Sequence, residues 1–141
     1  MATVYFELKG KKYPIEINYT QALKILPEKF GINLAKVFTS GEEAASTMEI
    51  LVLDDEKSLA LAWHYIEPTA SFDEEQFLTD MNGSLLDQFR EDFWAAVVNF
   101  TGPLKRNLMR EMWEQFKRDL KKVDLQTETS TASPSDSSQE G

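Results

Sequence analysis

The 141-residue chain contains no cysteine, one histidine, five prolines and six glycines. Without thiols it can build neither a disulfide framework nor a thiolate nucleophile, and a single imidazole cannot complete the usual Cys/His zinc cage. Long apolar runs are missing as well. The longest unbroken aliphatic stretch is Ile50-Leu51-Val52-Leu53, far short of the ~20 residues that span a bilayer. No basic segment followed by an apolar one opens the chain, so the expectation is a soluble cytoplasmic protein with no membrane partner. A glycine-rich phosphate loop, a nucleophile elbow and an HExxH pair are also absent, and no enzyme or cofactor is indicated.

What is present is a core and an uneven charge. The hydrophobic content of 42% suffices for a folded domain, and the length is that of one domain, expected over residues 1–125. The net charge is −9, but from Val37 to Gly102 there are 14 acidic residues against only Lys57 and Arg90. From Pro103 to Lys122 the balance reverses, with seven basic residues against Glu111, Glu114 and Asp119. An acidic middle repels phosphate, so a nucleic-acid partner is not expected. The plain reading of the acids is solubility.

The hydrophobic pattern changes period once. Val4, Phe6 and Leu8 alternate with polar residues, and after Gly10-Lys11-Lys12 the alternation resumes at Tyr13, Ile15 and Ile17, which predicts a hairpin over 3–18 with one apolar face. Pro14 makes the second strand an edge. From residue 20 to 122 the pattern is helical, giving a mainly α fold of the α+β kind: a hairpin followed by a compact bundle of five to six helices. Thr20 is the expected cap of the first helix, with Ala22, Leu23, Ile25 and Leu26 on its buried side, and Pro27 is expected to divide it from a helix over 28–38. Later helices are predicted at 42–53, after Asp54, after a Ser71 to Glu74 capping box, and after Gly83 with Ser84 as cap. Leu85, Leu86, Phe89, Phe93, Ala96, Val97 and Phe100 then form a wide stripe. Beyond Gly102-Pro103, Leu104, Leu108, Met112, Phe116 and Leu120 repeat at every fourth position. From Gln126 to Gly141 the composition is Ser, Thr, Gln, Pro and acid, predicting a disordered polar tail.

Few residues are placed to carry chemistry. His64 is expected at the edge of a buried helix face, without the neighbouring carboxylate or nucleophile of a catalytic imidazole. The acid clusters at 54–56 and 73–75 stand at helix starts, where carboxylates complement the dipole, and they lack calcium-loop spacing. No metal is assigned. Trp94 and Trp113 lie slightly off the aliphatic stripes, and either widen the core or face a partner. The basic residues of the last helix are either its solvated side or a docking face for an acidic surface, including the acidic middle of another copy. The candidate protein-binding residues are therefore Tyr5, Tyr13, Trp94, Trp113, Arg106, Arg110 and Lys117.

The hairpin carries the one motif-like signal. Phe6, Leu8, Gly10, Lys11, Tyr13, Ile15, Ile17 and Leu23 occupy the places of an apolar-x-apolar-x-Gly-Lys-x-Tyr-x-apolar strand pair leading into a helix. With the helices that follow, the chain from about residue 4 to 122 resembles the tail assembly chaperones of long-tailed siphophages, from which Pro14 is a departure. The resemblance implies a non-catalytic protein of the infected cell's cytoplasm, absent from the finished virion, whose partners are the tape measure protein and tail tube subunits. That family is often made in two lengths by ribosomal frameshifting, and a polar tail fits the short form. The hairpin's edge is open to extension by another copy or a partner strand, which makes a homo-oligomer the expected state. Two other readings stand beside this one: an acidic inhibitor that mimics DNA, and an enzyme centred on His64 or the 54–56 acids.

Overall fold

In the computed structural model the described residues run from 3 to 132, with side chains described as far as Lys122. The element order is β1 (Val4–Leu8), β2 (Lys11–Ile15), a wide π-type helix (Gln21–Phe30), a short 3-10 turn (Leu34–Lys36), α1 (Gly41–Met48) with a π-type extension (Glu49–Leu53), α2 (Asp55–Ile66), a second 3-10 turn (Glu67–Thr69), α3 (Glu74–Asp80), α4 (Gly83–Phe100) and α5 (Pro103–Ala132). The fold is thus mainly helical with an N-terminal hairpin, as expected. The chain falls into two compact units, Met1–Gly102 and Pro103–Gly141. The boundary is local in origin: Thr101 leaves α4 with extended backbone, and Gly102-Pro103 follows, with proline suited to a helix's first turn.

The hairpin closes through Lys9 and Gly10, both at positive φ (53° and 81°), the signature of a two-residue turn whose twist matches the strands. Leu8 pairs with Lys11, Phe6 with Tyr13 and Val4 with Ile15. Phe6, Leu8, Tyr13 and Ile15 are buried, so one face of the sheet lies on the core. The turn is tethered by Lys9 Nζ to Asp80 at 3.0 Å and by Lys11 Nζ donating to the Thr69 carbonyl at 2.6 Å.

A chain of aromatic contacts runs through the first unit. Phe6 meets Phe89 edge-on at 5.5 Å, Phe89 lies 6.0 Å from Phe93, and Phe93 lies 6.2 Å from Tyr65. Around it are Leu26, Ile32, Leu61, Ile66, Phe77 and Val97, all essentially inaccessible. Each large apolar side chain removed from water contributes about 1.5–3 kcal/mol. Of the predicted α4 stripe, Leu86, Phe89, Phe93, Ala96 and Val97 are buried.

Several local expectations are corrected. Asn18, not Thr20, caps the first helix: its Oδ1 accepts from Gln21 N at 2.9 Å, while Thr20 is already helical. Pro27 lies inside that helix, which ends at Gly31. The wider π turn buries Ala22, Leu26 and Phe30, spaced by four, and leaves Leu23 exposed. Gly31 at φ 74° is a left-handed C-cap, and Ile32 N donates back to the Leu26 carbonyl at 3.1 Å. Asp73 caps α3 in place of Ser71, and Asn82 caps α4 in place of Ser84. In both cases a short carboxylate or amide two positions away reaches a free N–H group. Asp54 caps α2 as expected, accepting from Lys57 N at 3.0 Å. The α5 backbone stays helical to Ala132, past Gln126 where the tail was expected, because neither Gly nor Pro interrupts it before Pro134. The rest of the predicted tail, 133–141, lies outside the described residues.

Candidate protein-binding surface

Two titratable groups, half-buried His64 and buried Tyr65, lie beside one another on α2. His64 Nδ1 lies 3.5 Å from Lys29 Nζ, and its ring packs edge-on to Phe30 at 5.5 Å. Burial, reinforced by the Lys29 charge and opposed by Glu67, lowers its pKa, so the imidazole is neutral at pH 7 and is suited to accept from the ammonium. No hydroxyl or carboxylate contacts it in a relay geometry among the described residues. Tyr65 donates to Gln21 Oε1 at 3.1 Å, and burial raises its pKa. Among the described residues no three His, Asp or Glu side chains gather as a metal cage, and no helix is long and apolar enough to cross a membrane.

The least exposed cation has a structural task. Arg90, at 8% side-chain exposure, ion-pairs with Asp55 at 2.7 Å and Asp87 at 3.0 Å. Its Nε donates to the Leu51 carbonyl at 2.6 Å, and Ser58 Oγ donates to the same oxygen at 2.9 Å. The π-type extension of α1 therefore has a carbonyl that two side chains satisfy from α4 and α2. The arrangement explains a buried charge as a clamp.

The acids are distributed by the same logic. Asp54 and Asp73 cap helices, Asp55 and Asp87 hold Arg90, and Asp80 holds Lys9. The hydrogen bond from Lys9 keeps the Asp80 carboxyl below the usual range, whereas burial raises that of Asp92. Asp54, Asp55 and Asp73 stand at helix starts, Asp80 ends α3, and Asp87 and Asp92 lie within α4.

The predicted contact residues separate into kinds. Tyr5 stands on the outer hairpin face at 48% exposure, whereas Tyr13 on the opposite face and Trp94 in α4 are buried. A buried aromatic packs rather than docks, which is the core reading of Trp94. On α5, Lys117 Nζ sits 5.8 Å over the Trp113 ring and 3.2 Å from Glu114, and Arg110 donates to Asn107 Oδ1 at 3.0 Å. Arg106 is half-buried. Arg106, Arg110 and Lys117 stand at i, i+4 and i+11, and so lie along one side of α5.

Exposed apolar residues that the sequence pattern assigned to the interior are more informative. Leu104 is 96% and Leu108 52% exposed, although both belong to the four-residue repeat on α5. A repeat of four advances about 40° per step on a helix of 3.6 residues per turn, so the stripe winds around the axis and cannot stay on one face. On the first unit Tyr19 is exposed and packs its ring edge-on to Phe100 at 4.9 Å, beside exposed Leu23. A cleft of about 180 Å³ opens there between Val4, Ile15, Ile17, Ala96 and Phe100, below the ~300 Å³ of ordinary ligand sites. Comparison with known proteins returns no match to a family model, a curated protein or a solved structure.

Proposed function

We propose that the protein is a non-catalytic tail assembly chaperone of a long-tailed phage, acting in the host cytoplasm and absent from the finished virion. In this reading it shields apolar helical surface on the tape measure protein and recruits tail tube subunits. The observation that carries the proposal is the pair of leucines exposed one turn apart on α5, Leu104 and Leu108, with Lys105 and Arg110 beside them. An apolar strip edged by cations suits an amphipathic client helix with acidic flanks. The Lys9-Gly10 hairpin in the place of the family-like motif supports the same assignment. The acidic DNA mimic is less well supported, because four of its carboxylates, Asp54, Asp73, Asp55 and Asp87, serve as caps or pair with Arg90.

The test is affinity capture with the tagged full chain from infected cells, followed by mass spectrometry. The expected retained species are a long helix-rich tape measure protein or tube subunits, lost with the double variant Leu104→Asp, Leu108→Asp while the thermal unfolding midpoint is unchanged. Capture of DNA-binding enzymes alone rejects the proposal in favour of the mimic.

A further inference from the structure

The hairpin has one edge that can accept a strand. In a hairpin closed by two residues, Leu8 and Lys11 exchange both backbone hydrogen bonds, and the same holds for Phe6 with Tyr13 and Val4 with Ile15. Tyr5 and Glu7 therefore direct their N–H and C=O groups away from β2, and Lys12 and Pro14 direct theirs away from β1. Pro14 has no N–H to offer, which explains how a proline sits in β2 without harm to the ladder and bars a strand from that side. Among the described residues, no backbone group outside the hairpin bonds to Tyr5 or Glu7.

We propose that β1 pairs antiparallel with β1 of a second copy about a two-fold axis at Phe6, giving a continuous sheet in the order β2-β1-β1-β2. The register follows from the strand itself. Placing Phe6 opposite Phe6 puts Tyr5 opposite Glu7 and Val4 opposite Leu8, so all of β1 is overlapped and the outward groups of Tyr5 and Glu7 form the ladder. Val4, Phe6 and Leu8 share one face, so the apolar side of one copy continues into that of the other. On the outer face each phenol meets a carboxylate, and no like charges are opposed. A shift of two residues in one direction sets Glu7 against Glu7; a shift in the other overlaps only Val4 to Phe6.

Sedimentation equilibrium on the purified full chain tests the pairing without any client, so its outcome is independent of the tail-assembly reading. A reversible dimer is expected. Tyr5→Glu places a carboxylate opposite Glu7 at both symmetry-related positions and weakens association about tenfold, whereas Tyr5→Lys places opposite charges there and does not weaken it. Glu7→Pro removes the outward N–H alone and abolishes the dimer. The Tyr5 side chain is exposed, so its variants retain the wild-type circular dichroism and unfolding midpoint. A monomer at the highest soluble concentration overturns the proposal and leaves the edge to a partner strand. A dimer equally strong in wild type, Tyr5→Glu and Tyr5→Lys overturns it in favour of another face.

Discussion

Replacing Arg90 with methionine keeps most of the side chain's volume and removes its charge and its forked donors. The Nε bond to the Leu51 carbonyl is buried, and a hydrogen bond involving a charged group contributes about 1.5–3 kcal/mol. Ser58 Oγ still reaches that oxygen at 2.9 Å, so the carbonyl is not orphaned and the lower half of the range applies. Asp55 and Asp87 have side chains 75% and 77% exposed, and each pair adds about 0.2–1 kcal/mol. The expected loss is about 2–4 kcal/mol, a large part of the ~5–15 kcal/mol typical of a domain. Urea unfolding of wild type and Arg90→Met at constant m-value measures it, and Arg90→Lys should recover only part, since an ammonium cannot serve the three acceptors in one plane. Amide exchange should quicken over residues 49–54, where Asp54 N donates to the Glu49 carbonyl at 3.2 Å. A loss under about 0.5 kcal/mol would refute the view that Arg90 clamps α4 to the end of α1.

Asn82→Ala should destabilise the first unit by about 1 kcal/mol by leaving Leu85 N without its cap acceptor, whereas Ser84→Ala should fall within about 0.5 kcal/mol; the same urea titration distinguishes them. Gly31→Ala should cost about 1–2 kcal/mol, because the backbone is left-handed there and the added Cβ would lie 3.3 Å from Ile50 Cδ1. The folded-state pKa of His64 is lowered, so the unfolded chain binds the proton more readily. Stability from this group is complete above the unfolded value near 6.5 and is lost as pH falls through the folded value. Melting midpoints from pH 7.5 to 5 should fall less in His64→Gln than in wild type.

The features legible in the sequence were those with a local cause. The period-two apolar residues from Val4 to Ile17, the stripe from Leu86 to Val97 and the cap at Asp54 each follow from strand pleat, helical repeat or free N–H groups within a few residues. The errors also arose locally, where several short polar residues stood near a helix start and geometry chose among them: Asn18 over Thr20, Asp73 over Ser71, Asn82 over Ser84. Gly31 after Lys29-Phe30 is an ordinary helix-stop signal, but Pro27 offers a competing one four residues earlier.

The surface was harder to read. Leu104 and Leu108 fit an apolar repeat, yet a spacing of four winds around the axis, and only coordinates show where it emerges. Arg90, alone but for Lys57 in an acidic stretch, carried no signal that it would be buried, because its role depends on a carbonyl from Leu51 and a carboxylate from Asp55 brought to it by the fold. By itself the sequence determined the order and kind of the elements, since propensity, capping and hydrophobic period act over a few residues. Which side chains stayed in water and which acids were committed to a cation were decided only by tertiary structure, because each depends on groups distant in sequence arriving at one place.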